Sequence, residues 1–223
     1  MNELSLYDER YVEEEKVIQN LQHLGYEYKP AIKNMDTLYE NLWMELSRIN
    51  DTQFTHREKQ ELRSKVFESI EGIEYKINIW TSRYTIKRDN GDDFHVRFLS
   101  ENNEENKLQV INQLEVVNEN EEKNIYDVNI LVNGIPLVHI ELKKPGKRYS
   151  AFNSATMEMF NQIKRYRETT YPNTIMEFTR LFVTSDSAVT TYFANNKRIL
   201  VPVSGGTYEE VGLKYTKPIT WMN

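Results

Sequence analysis

The chain has 223 residues, a formal net charge of −6, 39% hydrophobic and 28% charged residues, and no cysteine. This is long enough to bury a core and too apolar for disorder, and it excludes a disulfide scaffold, a cysteine nucleophile and a cysteine-bound metal. No apolar run approaches the roughly 20 residues of a membrane span, and no basic-then-apolar leader opens the sequence, so the expected address is the cytoplasm, with no membrane partner.

Taken along the chain, residues 11–24 predict an amphipathic helix with Val17, Ile18, Leu21 and Leu24 at helical spacing and Gly25 as its stop. Glu14 precedes Val17 and Ile18 by three and four residues, so it lies at the edge of that apolar face, while Glu13 and Glu15 point elsewhere. A second helix is expected from Asp36, as N-cap, to Ile49, with Leu38, Leu42 and Leu46 inward. A third opens at the capping box Thr55-His56-Arg57-Glu58 and carries Leu62, Val66 and Ile70 toward the core.

From Ile73 the composition turns to β-formers: Tyr75, Ile77, Ile79, Trp80, Tyr84 and Ile86. Asn90-Gly91 signals a turn and Phe94–Phe98 alternates. Residues 108–117 predict a strand between two polar loops. Residues 125–132 and 135–143 predict a hairpin around Asn133-Gly134. Both arms are apolar on both faces, which places the hairpin centrally in a sheet covered by helices. A helix is expected over 153–168, strands over 181–184 and 199–203, and a loop-rich tail from Ser204. The expected fold is α/β: a mixed central β-sheet flanked by helices. Residues 1–223 are taken as one domain, with a helical part (1–72) packed on a sheet-and-helix core (73–203) and a tail (204–223).

Charge is uneven. Eight acids and two bases lie between Glu101 and Asp127, whereas seven bases and one acid lie between Leu142 and Arg167. A solvated face explains such a basic stretch as readily as a polyanion site does. Its candidate phosphate contacts are Lys144, Lys147, Arg148, Lys164 and Arg165.

None of the four histidines (His23, His56, His95, His139) pairs at metal-ligand spacing, and each reads as structural or surface. Phosphate-loop, dinucleotide and serine-hydrolase signatures are absent. The remaining chemistry is acidic. Asp127 sits early in one hairpin arm and Glu141-Leu142-Lys143 ends the other. An aspartate and a glutamate meeting across a sheet suit Mg²⁺, which takes oxygen ligands and activates water. Lys143 shares Glu141's face of a strand.

Glu-x-Lys alone is weak, since six such tripeptides occur, starting at Glu14, Glu27, Glu74, Glu105, Glu121 and Glu141. Only the last ends an apolar strand beside an acid-bearing one. Register matters as well. A two-residue Asn-Gly loop sets Asp127 opposite Ile140 and turns Glu141 to the other face. Asp127 opposes Glu141 only with a three-residue loop or a bulge. Downstream, Gln162 and Tyr166 stand at i and i+4 on one helix face, and a core tyrosine with a helix-edge glutamine is the simpler explanation of that pair taken alone.

Together, Asp127, Glu141-x-Lys143 and Gln162-x-x-x-Tyr166 resemble the PD-(D/E)XK nuclease superfamily, in the branch with a Gln-x-x-x-Tyr helix. The run from Tyr126-Asp127-Val128 through Asn133-Gly134-Ile135-Pro136-Leu137 to Ile140-Glu141-Leu142-Lys143 resembles the N-terminal endonuclease domain of the R (HsdR) subunit of type I restriction-modification enzymes. The superfamily's proline is replaced, because Tyr126 precedes Asp127.

The resemblance implies a metal-dependent endonuclease acting on double-stranded DNA. Asp127, Glu141 and the Leu142 carbonyl would hold Mg²⁺, and Lys143 would position water. Gln162 and Tyr166 would support the site, and Glu14 would correspond to an additional acid on the family's first helix. The resemblance also implies methyltransferase and specificity subunits as partners, and a following ATP-dependent motor in the same polypeptide; ATP would belong to that motor alone. Two alternatives stay open: another nuclease of the superfamily, for repair or single strands, and a catalytically silent docking or DNA-binding module.

Overall fold

The computed structural model describes residues 3–118, 120–143, 155–186, 190–195, 199–203 and 207–211. The elements are, in order, α1 (Glu3–His23), β1 (Glu27–Tyr28), α2 (Met35–Ile49), α3 (His56–Leu62), α4 (Gly72–Thr81), β2 (Arg83–Lys87), β3 (Asp93–Arg97), β4 (Leu108–Val117), β5 (Lys123–Val132), β6 (Ile135–Leu142), α5 (Ala155–Thr169), β7 (Leu181–Ser185), β8 (Thr190–Ala194), β9 (Ile199–Val203) and β10 (Thr207–Val211). Six strands form one mixed sheet in the order β1-β4-β5-β6-β7-β8. β1 and β4 run parallel, as do β6 and β7, and the other neighbours are antiparallel. The expected mixed sheet flanked by helices is present, with the hairpin β5–β6 at its centre. Among the described residues, no helix is long and apolar enough to cross a membrane.

Helices cover both faces. On one, Ile18 of α1 packs with Val110, Val128, Ile140 and Leu142. On the other, Leu38, Leu42 and Leu46 of α2 and Ile163 and Tyr166 of α5 pack with Ile111, Tyr126, Leu131 and Phe182. Removing such side chains from water drives the assembly, at about 1.5–3 kcal/mol each.

Several helix boundaries differ from expectation. α1 ends at His23, where Gly25 takes φ +93° and the Tyr26 amide bonds back to the Leu21 carbonyl; Leu24 therefore lies outside the helix and is exposed. The N-cap of α2 is Asn34, whose side chain accepts from the Thr37 amide in a capping box, and Asp36 falls inside the first turn. The Thr55–Glu58 capping box forms as expected. The helix it starts then slips into a π turn over Arg63–Phe67, closed by Glu68 N–H on the Arg63 carbonyl, and Ile70 is exposed rather than in the core.

Residues from Ile73 to Trp80 form α4, not a strand. Their β-propensity is outvoted by tertiary contacts. The same run places Ile73, Ile77 and Trp80 at helical spacing, and the helix carries the fully buried Lys76 ammonium to the Thr174 carbonyl and the Glu177 carboxylate. Burial lowers the Lys76 pKa, and the Glu177 carboxylate partly opposes that shift.

The hairpin satisfies both geometric conditions at once. Val132 pairs with Ile135 across a two-residue turn, Leu131 pairs with Pro136, and then Ile130 pairs with Val138. Leu137 is the extra residue of a bulge, and its carbonyl accepts from the Arg180 amide. Beyond the bulge Val128 pairs with Ile140, so the register brings Asp127 opposite Glu141. The turn is locked by packing. Asn133 and Gly134 take φ +49° and +81°, and a Cβ on Gly134 would stand 2.8 Å from the Leu42 Cα of α2.

Candidate active site

Asp127 and Glu141 occupy facing strands where β5 and β6 part, and both are 0% exposed. Pairing stops after Val128 and Ile140. The Leu142 amide, left without a ladder partner on β5, donates to Asp127 Oδ2 at 2.9 Å. The parting of the strands thus supplies a charge-assisted bond that fixes one carboxylate. On β6, Glu141 points away from the Ile140–Leu142 face that packs on α1, toward α5.

From α5, Gln162 reaches both members of the Glu-x-Lys pair. Its Nε2 donates to Glu141 Oε1 at 2.5 Å, and its Oε1 accepts from Lys143 Nζ at 3.0 Å. The Lys143 backbone is anchored by its amide on the Ser185 carbonyl. Gln162 also donates to the Tyr166 hydroxyl, one helical turn on. Burial first, then the Glu141 carboxylate, pushes the Tyr166 phenol up to about 12. The phenol therefore stays protonated, and its hydroxyl donates to the Ile125 carbonyl at 3.4 Å. The structure brings Asp127, Glu141, Lys143, Gln162 and Tyr166 into one region, with the last four in a continuous hydrogen-bonded network.

Glu14 comes from the first helix. It is buried on α1 and accepts from Asn112 Nδ2 at 3.2 Å and Gln113 Nε2 at 2.5 Å, both from β4. Tyr28 Oη and Lys33 Nζ both donate to Asn112 Oδ1. Gln113 has φ +53° and falls between the pairs Asn112–Val128 and Leu114–Tyr126, opposite Asp127. A left-handed backbone there is uncommon and strained for a residue with a Cβ. It turns the Gln113 amide toward α1, so Glu14 approaches the site through β4.

Among the candidate phosphate contacts, Lys164 and Arg165 are exposed on α5, with the Arg165 guanidinium 5.4 Å over the Tyr166 ring. Lys144, Lys147 and Arg148 lie outside the described residues.

One residue of the site escaped sequence reasoning. His139 is fully buried, with Nε2 3.3 Å from Glu141 Oε2 and Nδ1 bonded to the Tyr171 hydroxyl. Burial pulls its pKa down to about 3, so the ring is neutral. The available signal was its position two residues before Glu141, on the same strand face.

Could the site take a divalent cation? Two fully buried carboxylates converge there, and Mg²⁺ uses one or two carboxylates while keeping waters. Among the described residues, no three acidic or histidine side chains form a complete protein cage. The two carboxylates are oxygen donors of the kind that a hydrated divalent cation takes.

A family model described as "Type I restriction enzyme R protein N terminus" matches residues 6–199. The chain belongs to this family. Among curated relatives of this R-protein N terminus, the type I restriction enzyme EcoprrI endonuclease subunit of Escherichia coli is 34% identical over 191 residues, covering 83% of this chain and 58% of the relative. The SauCOLORF180P endonuclease subunit of Staphylococcus aureus (strain COL) is 31% identical over 197 residues, covering 85% of this chain and 20% of the relative. The SsaAORF53P endonuclease subunit of Staphylococcus saprophyticus is likewise 31% identical, over 86% of this chain and 20% of its own length. The chain thus spans between a fifth and three fifths of the curated relatives it matches.

Proposed function

We propose that this chain is the endonuclease domain of a type I restriction enzyme R subunit and that it hydrolyses phosphodiester bonds in double-stranded DNA. The observation that carries this reading is the convergence of Asp127, Glu141, Lys143, Gln162 and Tyr166 at the parting of β5 and β6. Residues 1–223 would act as one domain.

Asp127 and Glu141, with the Leu142 carbonyl, would hold Mg²⁺. Bound there, the cation would supply water activation and offset charge developing on the phosphoryl group. Lys143 projects on Glu141's face and donates a hydrogen bond to an attacking water. Gln162 fixes Glu141 and Lys143 relative to each other through one amide, and Tyr166 fixes Gln162. Glu14 would support this arrangement from α1 through Gln113. Lys164 and Arg165 would contact DNA phosphates from α5, joined by Lys144, Lys147 and Arg148. Cleavage would follow ATP-driven translocation by motor domains of the same polypeptide, working with methyltransferase and specificity subunits in the cytoplasm, where the DNA is.

The test combines Mn²⁺ calorimetry on this chain with DNA cleavage by the assembled enzyme. Asp127→Ala should lose the bound ion and the cleavage together while keeping the folded circular dichroism spectrum. Unchanged Mn²⁺ binding in that variant places the ion elsewhere and ends this assignment. A folded, metal-binding wild type that never cleaves in the assembled enzyme would favour a silent DNA-binding module.

A further inference from the structure

His139 makes more contacts with the site than packing alone requires. It precedes Glu141 by two residues on β6, so both side chains leave the strand on one face. Its ring stacks on Tyr166, with centroids 5.7 Å apart and planes 17° apart, and on Tyr171 at 6.1 Å and 28°. Tyr126 closes in at 4.8 Å and Phe182 at 6.1 Å. At 0% exposure the imidazole is out of bulk solvent, and buried polar atoms take hydrogen-bond partners. Nδ1 bonds the Tyr171 hydroxyl, and Nε2 faces Glu141 Oε2 at 3.3 Å.

These contacts favour one placement of the hydrogens. An imidazole with a single N–H offers one donor and one acceptor. With the hydrogen on Nδ1, the Nε2 lone pair would confront the Glu141 carboxylate. With the hydrogen on Nε2, every group is satisfied: Tyr171 O–H donates to Nδ1 and His139 Nε2–H donates to Glu141 Oε2. Gln162 Nε2 donates to the other carboxylate oxygen. Glu141 is then gripped at both oxygens, once from its own strand and once from α5.

We propose that His139, held by Tyr171 with its Nε2–H turned to Glu141, is a positioning residue that sets the orientation of the Glu141 carboxylate for cleavage. Its geometric role mirrors that of Gln162, with the Tyr171 hydroxyl behind it as the Tyr166 hydroxyl stands beside Gln162. It touches neither DNA nor the reacting atoms. The inference rests on the nuclease reading of Glu141.

Two measurements test it. First, ¹⁵N spectra of the histidine rings in this chain should show His139 protonated at Nε2 and bare at Nδ1, with Tyr171→Phe disturbing that state. Second, DNA cleavage by the assembled enzyme is compared for His139→Leu and His139→Gln. The leucine should lower kcat about 10–100-fold, the range for groups that orient a metal ligand, with DNA affinity unchanged. The glutamine carries an amide N–H at the Nε2 position and should recover most of that loss. An Nδ1–H tautomer in the wild type overturns the proposal. So does a folded His139→Leu enzyme with wild-type kcat, or a folded His139→Gln enzyme as impaired as the leucine variant. If His139→Leu does not fold, the tautomer and His139→Gln decide. Glu141→Ala separates the two levels. An inactive Glu141→Ala beside a fully active His139→Leu removes only this inference, whereas an active Glu141→Ala removes the nuclease reading itself.

Discussion

The tripeptide Glu-x-Lys occurs at Glu74-Tyr75-Lys76 and again at Glu141-Leu142-Lys143, and the two copies do opposite things. On α4 the two charged positions are separated by about 200° around the helix axis. Glu74 is exposed there, while Lys76 is buried and bonded to Glu177, a partner 101 residues away. On β6 the same spacing puts both charges on one face, where one amide, that of Gln162, bonds both. The first copy supplies a structural ion pair that secures a helix, and the second is the proposed chemical site. The period of the element, two residues on a strand against 3.6 on a helix, decides which.

If this contrast is right, substitutions in the two copies separate activity from stability. The largest effect is expected at the strand copy: Asp127→Ala, Glu141→Ala and Lys143→Ala each abolish DNA cleavage by the assembled enzyme, while circular dichroism stays native. Near-wild-type cleavage in any one of them removes that residue from the catalytic set.

The helix copy should do the reverse. Lys76→Ala leaves the mostly covered Glu177 carboxylate without its ammonium and opens a void, so urea unfolding should show a loss of about 3 kcal/mol. Mn²⁺ affinity of the folded protein should not change. A weakened Mn²⁺ affinity in folded Lys76→Ala would break the contrast.

Gln162→Ala is expected to fall between these two. Removing the amide frees Glu141 and Lys143 from each other without deleting either, which should cost about 10–100-fold in cleavage rate. Lys164→Ala and Arg165→Ala are expected to act on DNA affinity. Each should lower the slope of log K against log salt by about 0.9, and Arg165→Ala should also disturb Tyr166, over which it stacks.

The smallest signal is a pH dependence from the helix copy. Burial lowers the folded-state pKa of Lys76 below its ordinary 10.5. Between the folded value and 10.5 the unfolded chain binds more protons, so this residue makes stability rise with pH through that window. Lys76→Met should flatten that rise in alkaline urea titrations.

Much of the fold was legible where the signal was local. β4 spans the predicted residues 108–117, and β7 and β9 fall where predicted. The hairpin turn was legible from Asn133-Gly134, whose positive φ values need those residue types. The strands β8 and β10 went unread, β10 within the stretch expected to be a loop-rich tail, although each has five residues like β7 and β9, and α4 was misread because Tyr75, Ile77 and Ile79 favour strands in isolation. For the candidate site, Asp127, Glu141 and Lys143 were candidates from their places on the hairpin, whereas Gln162 and Tyr166 read alone as a core pair and joined the site through the family resemblance; four of the five share one hydrogen-bonded network. Glu14 was named too, but its described partners lie on β4.

The sequence by itself determined which residues share a strand or helix face, because side-chain direction follows the period of the local backbone. It also posed the register question, since a two-residue turn alone would have separated Asp127 from Glu141. Only the tertiary structure answered it, by inserting Leu137 as a bulge whose carbonyl bonds Arg180 across to β7. The tertiary structure likewise made α4 a helix, buried Lys76 against Glu177, and set His139 between Glu141 and Tyr171. Each of these depends on a partner far away in the chain. Local propensity differences of about 1 kcal/mol are smaller than the cost of leaving such buried polar groups unpaired.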